Sequence, residues 1–98
     1  MIAAVSMYRM YPGHYDEMHK IAVRGTDLVK HIKGCLGAVY YTDKDKDEYG
    51  STTLWETIED YQAFRNAIPV ESLDILKSWS REPYVLNIFS DAFASIIK

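Results

Sequence analysis

The sequence predicts a single α+β domain whose elements follow the ferredoxin-like order βαββαβ. Two observations carry this prediction. The 98 residues are enough for one hydrophobic core, and segments with strand-like alternation are separated by segments with helical spacing. In this arrangement an antiparallel sheet carries its helices on one face. We therefore treat residues 1–98 as one domain.

The first strand and the first helix have the clearest patterns. Residues 2–11 are largely apolar at both odd and even positions, which predicts a strand that water wets on neither face, and Pro12 ends it. Residues 14–33 place apolar side chains at i, i+3, i+4 and i+7, which predicts an amphipathic helix. Gly25 lies in that apolar stripe at a cost of about 1 kcal/mol relative to alanine, so we expect a neighbouring group to pack closely there.

The second half of the chain repeats the pattern with shorter elements. Thr57, with Asp60 three residues later, is typical of a helix N-cap, and Pro69 interrupts the helical pattern. The charged segment 43–48, DKDKDE, predicts an exposed connection between two strands. The predicted elements are strands at 35–42, 49–57 and 84–94, and a broken helix at 58–67 and 70–80.

One face of the predicted sheet has no helix to cover it. The first strand is apolar on both faces, and the last strand offers either Val85, Asn87 and Phe89 or Leu86 and Ile88 to the uncovered side. An apolar face of this extent promotes association, and a two-fold dimer in which two sheets cover each other removes it from water. The pattern therefore predicts a homodimer.

Composition and charge argue against several classes of protein. The net charge is −3, with Lys and Arg scattered along the chain, which disfavours nucleic-acid binding. No apolar run approaches the roughly 20 residues needed to span a bilayer, and the first residues lack the pattern of a signal peptide. Cys35 has no partner for an internal disulfide. We expect a cytoplasmic protein that does not bind membranes.

No spacing of ligating residues indicates a metal site. Asp43, Asp45 and Asp47 alternate as in a calcium loop, but the positions that would need Gly and Glu hold Glu48 and Leu54. His14, His19 and His31 do not share one face of the predicted helix. Cys35 is interpreted as a core cysteine. We therefore predict that the protein has no metal and no cofactor.

Aromatic residues from separate elements point to a space between the sheet and the helices. Trp55 lies on the third strand, and Phe64 and Trp79 lie on the two halves of the broken helix. Ser6 and Tyr8 enter the same space from the first strand. One interpretation is an apolar pocket with a few hydroxyl groups that binds a flat aromatic ligand; the other is a plain aromatic core.

These residues match a family pattern. The chain resembles the antibiotic-biosynthesis-monooxygenase (ABM) family of the dimeric α/β-barrel superfamily along nearly its whole length. The resemblance is carried by the first strand ending in Tyr11-Pro12-Gly13, the segment Gly34-Cys35-Leu36-Gly37-Ala38, and the stretch 51–64, STTLWETIEDYQAF. It implies a ferredoxin-like protomer, a homodimer whose sheets form a barrel, and a cavity between sheet and helices.

The resemblance also implies a choice between two kinds of chemistry. Some family members are cofactor-independent monooxygenases of quinol-like aromatics, and another branch binds and degrades haem. The haem branch uses an Asn, a Trp and a His at positions that match Ser6, Phe64 and the neighbourhood of Asp74 here. All three positions depart from that pattern, which disfavours haem degradation.

For cofactor-free oxygenation, a side chain must take or donate a proton at the substrate hydroxyl. The candidates are Ser6, Tyr8, His14 and Asn87, together with the indole of Trp55, while Ser6, Trp55, Phe64 and Trp79 are the predicted substrate-binding residues. The sequence thus favours a monooxygenase acting on a small aromatic. The alternatives are a non-catalytic dimeric barrel that binds a small hydrophobic ligand, and a different reaction on the same fold.

Overall fold

The order of strands and helices agrees with the sequence prediction. The computed structural model of the protein describes residues 1–95. The elements are strands β1 (Ile2–Arg9), β2 (Cys35–Asp43), β3 (Glu48–Trp55) and β4 (Val85–Phe89), and helices α1 (Tyr15–Leu28), α2 (Ile58–Asn66) and α3 (Val70–Trp79). A 3₁₀ turn at Val29–His31 follows α1. Pro69 divides the predicted broken helix into α2 and α3.

The four strands form one antiparallel sheet in the order β2-β3-β1-β4. This is the predicted α+β, ferredoxin-like fold with the helices on one face. Three predicted strands are too long. β3 ends at Trp55 rather than at residue 57. β1 ends at Arg9 rather than Tyr11, since Met10 makes only an isolated bridge with Ser80. β4 ends at Phe89 rather than at residue 94, because its pairing with β1 stops there.

Local signals in the sequence set the ends of two helices. The Thr57 hydroxyl caps α2: it accepts a hydrogen bond from the Asp60 amide at 3.1 Å and donates to the Asp60 carboxylate at 3.0 Å, as predicted. The helix predicted over 14–33 is shorter, with His14 as the N-cap residue of α1 and the 3₁₀ turn replacing its last turn.

Gly25 allows α1 to lie close to β2. A β-carbon at this position would stand 2.7 Å from Cζ of Tyr40, a separation that no real side chain tolerates. The close neighbour expected from the glycine in the apolar stripe is therefore the Tyr40 ring. This contact sets how closely α1 approaches the outer strand of the sheet.

Two clusters of buried side chains join the helices to opposite ends of the central strands. One end is built around Trp55 and Tyr61 together with Ala4. The other is built around Met10, Met18 and Tyr49. The partly buried side chains that pack against this second cluster are Tyr8, Tyr15, Leu76 and Trp79. The helix-side positions of β1 and β3 between these clusters hold small side chains.

The second face of the sheet is not covered by any part of residues 1–95. Val39 is 61% exposed, Val85 42% and Phe89 54%. The register shows that Val39, Thr52, Val5 and Asn87 form one row across this face. The prediction that helices cover only one face is therefore confirmed. None of the helices in residues 1–95 combines the length and the apolar character needed to cross a bilayer.

The strand pairing predicts that alanine substitution of two glycines in the sheet will change the free energy of unfolding by very different amounts. A β-carbon at Gly50 would collide with the Ser6 carbonyl oxygen and lie 2.7 Å from the Tyr41 ring, whereas one at Gly37 would meet only Leu54 Cδ1 at 3.6 Å. Gly50→Ala should lower the free energy of unfolding by about 2 kcal/mol or more, because backbone cannot move aside. Gly37→Ala should leave it unchanged or raise it by up to about 1 kcal/mol.

Denaturant titrations at one protein concentration measure both variants. Equal stabilities for Gly50→Ala and Gly37→Ala would contradict the pairing of β1 with β3 described here.

Candidate functional site

A cavity of about 620 Å³ lies between the sheet and the helices. Its floor is the middle of β1 and β3, where Ala4 pairs with Thr53 and Ser6 with Ser51. These side chains are too short to reach the helices, while Trp55 at one end and Met10 at the other hold the helices away. The cavity therefore follows from a contrast in side-chain size along two adjacent strands.

The walls of the cavity are mainly apolar. They are formed by side chains from α1, α2 and α3, chiefly Met18, Ile21, Phe64, Leu73, Leu76 and Trp79. Phe64 and Trp79, which the sequence placed in this space, both line the cavity. Such a space fits an apolar ligand of moderate size, with polar groups required only where the wall offers them.

Two serines provide polar groups on the floor. The Ser6 and Ser51 hydroxyls are 3.0 Å apart and share one hydrogen bond. One of the two oxygens donates to the other, so at least one hydroxyl proton remains available to a ligand. The structure thus places Ser6 in the cavity, with Ser51 as a partner that the sequence reasoning did not identify.

Trp55 supports the cavity from behind rather than lining it. The side chain is fully buried, and its indole N–H donates to the Thr53 hydroxyl at 2.8 Å. Its ring packs edge-on against Tyr61, with centroids 5.8 Å apart, and against Phe64 at 5.1 Å. Because the indole proton is already used, Trp55 does not serve as a donor to a ligand; it positions Phe64.

A cluster of tyrosines with one arginine occupies the side of the cavity near β4. The rings of Tyr8 and Tyr84 stack with centroids 4.8 Å apart, and the Arg65 guanidinium lies 5.0 Å from the centre of the Tyr84 ring. Tyr61 lines the same space. The Tyr84 hydroxyl is buried and has no hydrogen-bond partner among residues 1–95. This corner carries both a positive charge and hydroxyl donors.

The environment keeps these tyrosines protonated. Burial raises the pKa of Tyr8, Tyr61 and Tyr84, and the nearby Arg65 charge only partly offsets it. A tyrosine whose pKa lies above 10 is neutral at physiological pH and acts as a hydrogen-bond donor rather than as a base. Arg65 partly offsets the raised pKa of Tyr84 through its charge and through the approach of its guanidinium to the hydroxyl, although no guanidinium N–H meets hydrogen-bond geometry there.

Arg65 and Tyr84 were missed by the sequence reasoning, although a signal for Arg65 was present. Arg65 follows Tyr61 by four residues, so both lie on the same face of α2, and the buried Tyr61 ring packs against Trp55 on that face. Tyr84 stands immediately before β4, between Pro83 and Val85, where no periodicity indicates its direction.

A second buried tyrosine hydroxyl lies toward the hairpin end. Tyr49 is only 2% exposed, lines the cavity, and its hydroxyl has no hydrogen-bond partner among the described residues. Burial raises its pKa, and the carboxylates of Asp47, Asp43 and Glu17 raise it further. Tyr49 is therefore also a neutral donor.

Besides Trp55, two more of the predicted candidates lie outside the cavity. His14 is half-buried and stacks on Trp79 with centroids 4.7 Å apart, so it flanks the wall instead of facing the ligand space. Asn87 pairs with Val5 on the uncovered face of the sheet, whereas the cavity row is formed by Tyr40, Ser51, Ser6 and Leu86. The structure does not bring Asn87 together with Ser6 and Tyr8.

Acidic, histidine and cysteine side chains are missing from the cavity wall as far as residues 1–95 define it. Within the same residues, no three His, Cys, Asp or Glu side chains are grouped so that they would hold a metal ion. Cys35 is half-buried, its thiol donates to the Gly37 carbonyl at 3.6 Å, and burial raises its pKa.

Comparison with a family model gives a match over residues 1–87, and that model describes antibiotic biosynthesis monooxygenases. A search of curated protein sequences returns no match.

Several solved structures share the fold at low sequence identity. Rv0793 from Mycobacterium tuberculosis superposes with a TM-score of 0.79 at 10% identity, covering 97% of this chain and 98% of that chain. The ActVA-Orf6 monooxygenase of Streptomyces coelicolor, in complex with nanaomycin D, gives 0.70 at 18% identity and covers 99% and 92%. SnoaB, a cofactor-independent oxygenase from Streptomyces nogalater, gives 0.70 at 16% identity and covers 95% and 94%.

Proposed function

The chain belongs to the antibiotic biosynthesis monooxygenase family, and on that premise we propose that it is a cofactor-independent monooxygenase of a small aromatic, quinol-like substrate. The observation that carries the proposal is the cavity of about 620 Å³ with apolar walls and a few hydroxyl groups. Two structural relatives are described as a monooxygenase with bound nanaomycin D and as a cofactor-independent oxygenase.

The substrate is the reductant in this reaction. For an anthrone-type ring, the CH₂ group becomes C=O, one atom of O₂ enters the product, and the other leaves as water with the two hydrogens of the CH₂. All four electrons come from the substrate. The tasks of the protein are to stabilise the electron-rich, ionised form of the ring, to orient it and to keep bulk water away.

The residues of the cavity suit these tasks in different ways. Phe64 and Trp79 flank the ring, while Ser6 and Tyr8 donate hydrogen bonds to its oxygen. Tyr8 is a donor rather than a base, since burial raises its pKa. A deprotonating role for His14 requires that it leave its stacked position on Trp79. We therefore assign substrate positioning to Ser6 and Tyr8. Asn87 has no role in proton abstraction in this proposal, because it lies on the uncovered face of the sheet.

A second candidate function is binding of a small hydrophobic ligand without catalysis. The observation that favours it is the lack of an acidic or imidazole side chain in the cavity wall of residues 1–95. A substrate that does not ionise on its own would find no base there. The two functions differ in whether bound ligand consumes oxygen.

We also propose that two copies associate through the uncovered faces of their sheets. Val39, Val85 and Phe89 are all more than 40% exposed on this face, and the Tyr41 hydroxyl is paired with Thr52 at 3.0 Å, which leaves its ring as apolar surface. A second copy would remove these side chains from water and close the sheets into a barrel.

The oxygenase proposal predicts a specific loss of activity in one tyrosine variant. The purified protein, with a chelator present, should consume one O₂ for each anthrone-type substrate oxidised. Tyr8→Phe should lower the rate of oxygen consumption by about tenfold or more, because a positioned donor at the reacting oxygen is removed. Tyr11→Phe is the control, since Tyr11 is 55% exposed and does not line the cavity.

An oxygen electrode measures both rates. If the wild-type protein binds aromatic ligands but consumes no oxygen with any quinol or anthrone, the oxygenase proposal fails and the binding function stands. An equal loss in Tyr8→Phe and Tyr11→Phe would remove the role of Tyr8.

The dimer proposal predicts that a charge on the uncovered face separates the copies. Val39→Asp should shift the sedimenting species at micromolar concentration from about twice 11.3 kDa to 11.3 kDa, because burying an unpaired carboxylate costs several kcal/mol. Val23→Asp is the matched control: Val23 is 56% exposed but lies on α1. A wild-type protein that sediments as a monomer would refute the proposal.

A further inference from the structure

We infer that Arg65, together with Tyr8, Tyr61 and Tyr84, forms an oxyanion-binding subsite, and that the ligand of the cavity is an aromatic molecule carrying a carboxylate or an ionised hydroxyl. The inference rests on the proposed function in one respect only, that the same cavity is the ligand site. It names the class of ligand, and it identifies Arg65 as the residue that selects it.

The Arg65 charge has no counterion among residues 1–95. The ion pairs within residues 1–95 are those of Arg9 with Glu48 and Glu82 and of Lys30 with Asp27. Arg65 is half-buried and lines a cavity whose wall has no carboxylate in the described chain. A cation that is partly removed from water without a counter-charge is unfavourable, and an anionic group on the ligand would lower that cost.

Hydroxyl donors converge on the corner that holds Arg65. Tyr8 stacks on Tyr84 with centroids 4.8 Å apart, and Arg65 lies 5.0 Å from the Tyr84 ring centre. The Tyr84 hydroxyl is buried without a partner among the described residues. Leaving a buried hydroxyl unpaired is costly, so an acceptor supplied by the ligand would satisfy it. An arginine fork with phenolic O–H groups matches the acceptor oxygens of an oxyanion.

This polar corner contrasts with the rest of the cavity wall, which is mainly apolar. Away from Arg65 the cavity is bounded by aromatic and aliphatic side chains such as Phe64, Trp79 and Leu76. A ligand that satisfies both regions has a flat apolar body and one anionic edge. Arg24 also reaches the cavity wall, but it is exposed on α1, so water already solvates its charge.

The charged side chains next to this corner are also mainly positive. Tyr8 and Tyr84 also line a second depression of about 380 Å³, whose charged lining residues are Lys77, Arg81 and Glu82. Positive charge at such a rim attracts anions to the site.

Binding of matched ligand pairs tests the inference. The first pair of probes is naphthoate and its methyl ester. The second pair is 2-hydroxy-1,4-naphthoquinone, whose hydroxyl is a vinylogous acid and is ionised at neutral pH, and its methyl ether. Calorimetry without any turnover should show that the wild-type protein binds the anion of at least one pair about tenfold or more tightly than its neutral counterpart, the effect of one charge-assisted hydrogen bond. The pair that shows the preference tells whether the ligand oxyanion is a carboxylate or an ionised hydroxyl.

Variants identify the residue responsible. Arg65→Met should abolish the preference for the anion while the neutral ligand still binds, which also shows that the variant is folded. Arg65→Lys should retain part of it, because charge remains without the planar fork. Arg24→Met is the matched control and should keep the full preference. Tyr84→Phe should weaken anion binding by a few fold, since it removes one donor.

Equal affinities for anion and neutral ligand in both pairs of the wild-type protein would overturn the inference, and so would a preference that persists in Arg65→Met. These outcomes do not depend on catalysis. A preference lost in Arg65→Met supports the subsite even if oxygen consumption is never observed. Equal affinities for anion and neutral ligand in a wild-type protein that does consume oxygen would overturn the subsite and leave the oxygenase proposal in place.

Discussion

The cavity depends on a contrast of side-chain size along β1 and β3. Trp55 and Tyr61 fill the space between sheet and helices at one end, and Met10, Met18 and Tyr49 fill it at the other. Between them the floor consists of short side chains at paired positions, namely Ala4 with Thr53 and Ser6 with Ser51. Close packing at both ends fixes the height of the helices, so the middle is left open.

The same size contrast separates structural from functional roles among the aromatic residues. Trp55 is fully buried and its indole N–H is satisfied by Thr53, so it acts as a support. Phe64, one ring further from the sheet, and Trp79 on α3 line the open space. Tyr8, Tyr84 and Arg65 provide the polar corner. Each ligand-facing group is thus held by packing that does not depend on a ligand.

The fold was largely predictable because its signals are periodic. The apolar stripe of α1, the Thr57 cap and the break at Pro69 each act through local backbone geometry, and the structure contains all of them. Alternation alone did not show which side chains of β4 point toward the helices. The pairing of β4 with β1 determines this. That pairing places Leu86 in the cavity and Asn87 on the other side.

The site was predictable only where its residues lie on regular elements. Ser6, Phe64 and Trp79 were found from their strand or helix positions. Arg65 was overlooked because a charged residue on a helix usually faces water, although its spacing from Tyr61 placed it inward. Tyr84 lies outside any periodic segment, and the pairing of Ser51 with Ser6 required the strand register. Contacts between distant parts of the chain are invisible to a local pattern.

The stability of a double variant on the cavity floor tests the central claim most directly. Ser6→Ala/Ser51→Leu is compared with Ser6→Ala/Ser51→Ala, so that only the added side-chain volume differs. If the space is open, the leucine variant should have an equal or higher free energy of unfolding, by about 1 kcal/mol, because its side chain is buried without displacing neighbours. A leucine variant less stable by about 1–3 kcal/mol, as expected for an overfilled core, would contradict the account.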